Sequence, residues 1–250
     1  MKIAMIFAAG KGTRLRPITD NIPKALVEIG GKTLLDYQIE NLYRWGFRTI
    51  IVNVHHFADM MIDYLNKVSL PGLDIIISNE KEHLLNTGGG LKQAGKLLKK
   101  HQCPEHLLIH NVDIFDNADL NTLYQSCNNV DACLQVSERQ TQRYLLFDGE
   151  YRLVGWENVA TGEIKTPYPN LNTAHCRRLA FAGMHVVKET VFDEMEQWPE
   201  EFSVIDFYVQ SCRKLHIKGV FQPNLKIFDV GKIETLPMAE DFLKELKGNS

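Results

Sequence analysis

Residues 7–24, FAAGKGTRLRPITDNIPK, constrain this chain more than any other stretch. They follow directly on the apolar run Lys2–Phe7, a strand candidate. Gly10 and Gly12 let the backbone turn tightly and approach a ligand closely. Successive N–H groups in such a loop form a concave nest for phosphate oxygens. Arg14 and Lys24 add the cations that several phosphate charges need. A strand that feeds a phosphate cradle points to nucleotide chemistry.

Strand-like and helix-like segments alternate after it. Residues 33–45 place Leu35, Ile39 and Leu42 at helical spacing, with Thr33 as N-cap, Asp36 three positions on and Gly46 as the stop. Residues 49–54 and 73–78 read as strands, and 57–67 and 90–100 as helices. Residues 105–111 are almost continuously apolar, as a central parallel strand is. A helix over 119–127 and a strand over 131–136 repeat the alternation. Then the pattern changes. Residues 143–147 and 151–156 flank Asp148-Gly149, a hairpin signal. Residues 161–175 hold Pro167 and Pro169 and read as a long loop of the functional kind. A strand over 178–187, a capped helix over 203–215, strands over 217–221 and 225–230, and a closing helix over 232–247 follow. The sum predicts an α/β fold: a Rossmann-like, doubly wound, mostly parallel mixed sheet in an αβα sandwich, with antiparallel additions in the second half.

Composition narrows the classes. The 250 residues carry a net charge of −3, which argues against a nucleic-acid partner, since that wants a basic face. A nucleotide needs only a few local cations. The first apolar run is too short for a signal peptide, and none reaches the roughly 18 residues of a membrane span. The expectation is a cytoplasmic chain with no membrane partner. Five cysteines without C-x-x-C spacing predict buried free thiols. His101, His106 and His110 lie near Cys103 but lack zinc-ligand spacing. His55 and His56 read as structural or rim polar groups. No G-x-S-x-G elbow is present.

The loop itself fits neither easy label. Leu15 stands where a dinucleotide fingerprint has its third glycine, and no Walker A Gly-Lys-Ser/Thr follows. Its fuller pattern, G-x-G-T-R-x-x-P and then Pro23-Lys24, resembles the signature of sugar-phosphate nucleotidyltransferases, the NDP-sugar pyrophosphorylases. Other segments extend the resemblance. Asp113 follows the apolar strand, where a carboxylate either holds a divalent cation or caps a turn. The residue before it is Val112, where relatives usually have glycine. Asp229-Val230-Gly231 resembles the family's late Asp-hydrophobic-Gly motif, with Ile227 for the usual tryptophan and Lys232 for the usual threonine. The run Asn86-Thr87-Gly88-Gly89-Gly90 resembles the T-G-G segment that lies against the base; its glycines would turn backbone amides to a ligand. Phe181-Ala182-Gly183 resembles a sugar-binding F-x-G strand. Glu157 stands near a Glu-Lys pair that grips the sugar, although the next residue is Asn158.

The resemblance runs through nearly the whole chain and is greatest to the N-acetylmuramate 1-phosphate uridylyltransferase branch. It implies a fold of the nucleotide-diphospho-sugar transferase type in a single domain, 1–250, with 1–136 for the nucleotide and 137–250 for the sugar phosphate. The partners implied are a nucleoside triphosphate, UTP above others, and a sugar 1-phosphate; oligomeric state is left open. The implied reaction yields an NDP-sugar and pyrophosphate. Ala8, Ala9, Gly10, Gly12, Thr13, Arg14, Lys24 and Gly88 would bind the nucleotide, with Arg14 and Lys24 catalytic. Asp113 and Asp229 would hold Mg²⁺, and Glu157 and Gly183 the sugar. Two other readings stay open: a phosphocholine cytidylyltransferase-like enzyme, sharing Pro23-Lys24-Ala25-Leu26 and using Tyr151, Trp156 and Tyr168 as an aromatic cage, and a non-catalytic nucleotide-binding regulator.

Overall fold

The computed structural model describes residues 2–100 and 106–248. His101, Cys103 and the first residue of the expected strand over 105–111 lie outside the described residues. The chain forms two compact units that interleave in sequence. One comprises Met1–Leu84, Ile109–Ala118 and Leu225–Ser250; the other comprises Leu85–Leu108 and Asp119–Asn224.

In the first unit, strands Lys2–Phe7, Phe47–Val54 and Asp74–Asn79 run parallel, with Met5 opposite Ile51 and Ile51 opposite Ile76. Ile3 to Ile6 and Ile50 to Val52 are fully buried. Such continuous apolar runs mark strands covered on both faces. Helices Leu34–Arg44 and Ala58–Leu65 make the crossovers. The first starts as its sequence predicts: Asp36 N–H donates to Thr33 Oγ1 at 3.0 Å. Gly46, at φ 86°, ends it. Thr33→Ala is expected to lower stability by about 1 kcal/mol, read from urea unfolding, because one helix-end donor loses its partner. The strand Ile227–Asp229 pairs antiparallel with Ile114–Asp116, setting Asp229 opposite Ile114. Helix Leu236–Gly248 closes the unit.

In the second unit, strand Ala132–Ser137 pairs antiparallel with Arg177–Lys188 and parallel with Ile217–Phe221. Arg143–Phe147 pairs antiparallel with Leu153–Asn158 and with the start of Arg177–Lys188. These are the antiparallel additions expected of the later sequence. Asp119 caps Leu120–Ser126 and Ser203 caps Val204–Ser211.

Several elements depart from expectation, among them the short strand Ile114–Asp116, which was not expected. The stretch 161–175 is not loop throughout: Glu163–Lys165 adds a strand against Leu153–Asn158. All three of its residues are exposed, so no apolar alternation marks it. Helix Glu189–Met195, which follows directly on the strand Arg177–Lys188, was not expected. Helix Asn86–Lys100 begins four residues before 90, taking the glycine run into itself. The cysteines follow expectation more closely. Cys127, Cys133 and Cys212 are buried and free, and Cys176 is free and half-buried.

Candidate functional site

The glycine-loop residues lie in the first unit. Ala8 leaves the first strand with its N–H donating to Asn53 Oδ1 at 2.7 Å. Asn53 Nδ2 donates in turn to Glu80 Oε1 at 2.8 Å, and Glu80 is buried. A buried amide and carboxylate from the neighbouring strand ends therefore fix where the loop departs. Neither was marked by a motif. Ala9 is buried, and Gly10 is exposed with open space where a side chain would stand.

Gly12 is needed on two counts. Its φ is +64°, and a methyl there would stand 2.9 Å from Lys24 Cβ and 3.0 Å from Thr19 Cγ2. Its carbonyl accepts from Thr19 Oγ1 and from Leu15 N–H, each at 2.8 Å. The two ends of the loop thus meet at Gly12 and Lys24. Thr13 and Arg14 remain exposed in the one-turn helix Thr13–Leu15, anchored by fully buried Leu15.

Lys24 starts a second short turn, Lys24–Leu26, after extended Pro23. Its side chain is only 10% exposed, and its Nζ donates to Asp113 Oδ2. Asp113 sits just past strand His106–Asn111. Val112 N–H donates to Phe7 O at 3.2 Å, and the Asp113 carbonyl accepts from Val230 N–H at 2.8 Å. Val112 is buried, which accounts physically for an apolar residue in place of glycine. On the far side, a methyl on Gly231 would stand 2.7 Å from Asp229 Oδ1 and 2.9 Å from Arg14 Nη2. The Arg14 guanidinium and Asp229 carboxylate therefore lie against the same glycine. Arg14, Lys24, Asp113 and Asp229 gather in one place: two cations and two carboxylates around a glycine loop.

Among the described residues, no group of three or more His, Cys, Asp or Glu is arranged to hold a metal. Two carboxylates suit a different kind of site. Mg²⁺ takes one or two of them and completes its shell with phosphate oxygens and water. Asp113 and Asp229, bound together through Val230, fit that donor set.

The remaining candidates are in the second unit. Gly88 does not present its N–H to a ligand, because it donates to Phe202 O at 2.8 Å. A methyl on Gly88 would stand 2.3 Å from the Phe202 ring, and one on Gly89 would stand 1.9 Å from Glu200 O. Thr87 Oγ1 accepts from Val204 N–H at 3.0 Å. The glycine run serves a close helix–chain approach that sequence reasoning missed. Gly183, at φ +79°, sits in a bulge between Phe181, opposite Val136, and His185, opposite Leu134. Glu157 accepts from Arg178 Nε at 2.6 Å and from Arg178 Nη2 at 3.4 Å. The cation absent at Asn158 is thus supplied by Arg178. Tyr151, Trp156 and Tyr168 each face a separate cation: Arg177 at 4.8 Å, Lys165 at 5.1 Å and Arg213 at 6.0 Å from the ring centroids. Each ring is thus already engaged by a cation of the chain itself.

Comparison with known proteins gives the family. Residues 3–149 match the model of the Nucleotidyl transferase family, and the chain belongs to that family. Within it, the chain is similar to an N-acetylmuramate alpha-1-phosphate uridylyltransferase of Neisseria meningitidis, at 29% identity over 77% of this chain and 78% of the relative. It is also 48% identical to one from Caulobacter vibrioides over 99 residues, covering 39% of this chain but only 41% of that relative's length. Among solved structures, HddC from Yersinia pseudotuberculosis shares the fold, with TM-score 0.76 over 97% of this chain and 100% of that one at 22% identity. Among the described residues, no helix is long and apolar enough to cross a membrane.

Proposed function

We propose that the protein is a sugar-1-phosphate nucleotidyltransferase that joins UTP and a sugar 1-phosphate into a UDP-sugar, releasing pyrophosphate. The convergence of Arg14, Lys24, Asp113 and Asp229 at the strand-fed glycine loop carries this reading. The choice of UTP rests on similarity to proteins named uridylyltransferases.

The acceptor's own phosphate oxygen is the nucleophile, so no side-chain nucleophile is required. It attacks the α-phosphorus in line with the departing pyrophosphate. The protein's task is positioning and charge stabilisation. The amides of Gly10 to Thr13 and the Arg14 guanidinium hold the β- and γ-phosphates. Lys24 Nζ meets the α-phosphate and the acceptor phosphate, where charge builds. Asp113 and Asp229 would hold Mg²⁺, which when bound neutralises and orients phosphate oxygens. Glu157, held by Arg178, and Gly183 meet the sugar.

Pyrophosphate release with each common nucleoside triphosphate, against sugar 1-phosphates and phosphocholine, tests the reading. The highest kcat/KM is expected with UTP and N-acetylmuramate 1-phosphate. Release confined to CTP and phosphocholine would favour the choline enzyme, against which stands the engagement of all three rings by cations of the chain. No release with any pair would favour the regulator. Asp229→Asn should raise the Mg²⁺ concentration for half-maximal rate about tenfold. An unchanged magnesium titration removes Asp229 as a ligand.

A further inference from the structure

His110 is the next-to-last residue of the strand that leads into Asp113, and it is fully buried. Its two ring nitrogens meet acceptors on both sides. Nδ1 lies 2.8 Å from Asn111 O, and Nε2 lies 2.9 Å from Asp116 Oδ2. A carbonyl oxygen only accepts, and so does an ionised carboxylate, so with Asp116 ionised each ring nitrogen carries a hydrogen. A histidine with both hydrogens is an imidazolium. The Asp116 side chain is 2% exposed, and its other oxygen accepts from Ala118 N–H at 2.9 Å. The pair is therefore dry and oriented at both ends.

We propose that His110 and Asp116 form a buried imidazolium–carboxylate clasp that positions the two carboxylates of the phosphate site. This rests on the reading of Asp113 and Asp229 given above. Asp113 stands midway between the two, three positions from each. Val112 N–H to Phe7 O and Gln38 Nε2 to Ile114 O tie the intervening turn to its neighbours. The clasp joins the end of His106–Asn111 to the strand Ile114–Asp116. That strand in turn pairs with Ile227–Asp229, so one clasp sets the registers that deliver both carboxylates.

The electrostatics agree. Burial pushes the His110 pKa down, but the Asp116 charge and hydrogen bond, the Asn111 carbonyl and the more distant Asp113 charge together raise it above its ordinary 6.5. The charged groups facing the ring are thus Asp116 and Asp113, the latter neutralised by Lys24. His110 and Asp116 act through Asp113 and are positioning residues.

Two measurements on the full chain test the clasp without any turnover. Histidine ¹⁵N spectra at about pH 8, where an exposed histidine is neutral, should show both His110 nitrogens protonated. A neutral tautomer there overturns the proposal. In Asp116→Asn, hydrogen exchange at the Val112 amide should accelerate about tenfold or more relative to amides of Phe47–Val54. Equal exchange at both places overturns a positioning role. If Asp116→Asn fails to fold, the wild-type spectra still decide the charge. With the wild type active, Asp116→Asn should lower kcat about tenfold per folded molecule with little change in nucleotide KM. A loss confined to folded fraction would make the pair merely structural. A wild type that releases no pyrophosphate counts against the proposed function, while the spectra and exchange still decide the clasp.

Discussion

Lys24→Ala is expected to lower kcat for pyrophosphate release by on the order of a thousandfold while the protein stays folded. The side chain is only 10% exposed and rests beside Asp113. A positioned ammonium with little water around it interacts more strongly with developing phosphate charge than a solvated one. Its place is set from both sides. Pro23 delivers it in an extended conformation, and Gly12 lies against its Cβ. Removing the amine also takes away the cation paired with Asp113, which leaves the proposed Mg²⁺ alone to balance that carboxylate.

The fold should tolerate the change. The Asp113 side chain is 18% exposed and keeps contact with water, so the loss in stability is expected near 1–2 kcal/mol rather than the larger cost of a fully buried orphan charge. Lys24→Arg restores the charge but not the compact ammonium, and it should recover only part of the rate. Steady-state kinetics with melts on the same preparations separate the effects. A folded Lys24→Ala variant within about tenfold of wild type would remove Lys24 from the reacting phosphate.

Local chemistry was legible in the sequence, and distant partnership was not. The Thr33 cap, the Asp148 turn and the parallel apolar strands each depend on neighbours a few positions away, so their patterns were readable. The loop, Lys24, Asp113 and Asp229 could be named because a motif links them. What the motif omits is how they are held. Asn53 and Glu80 fix the loop's departure, and Gly231 makes room for Arg14; these contacts join residues far apart in the chain. Arg178 supplies the cation missing beside Glu157 only because strands pair in a register the sequence does not display. Glu163–Lys165 was hidden for the opposite reason, since an edge strand exposed throughout carries no alternation.

The glycine run is the sharpest case, and it yields the second large prediction. Gly89→Ala is expected to destabilise the protein by about 2–4 kcal/mol. Alanine is the better helix former by about 1 kcal/mol, so propensity alone predicts the opposite sign. Packing decides otherwise. The new methyl would stand 1.9 Å from Glu200 O, 2.9 Å from Leu85 Cβ and 3.1 Å from Glu200 C. Two of these atoms are backbone, with no rotamer to swing aside, so the segment must move. Moving it strains the Gly88 N–H bond to Phe202 O and the Val204 N–H bond to Thr87 Oγ1. Gly10→Ala is the matched control, since no atom lies within 4 Å of the added methyl and its φ is not positive. Its stability should stay within about 0.5 kcal/mol of wild type. Urea unfolding of both variants reads the difference. A Gly89→Ala protein as stable as the parent would show that the helix and residues 200–202 are not in contact there, and the glycines would then be free to face a ligand instead.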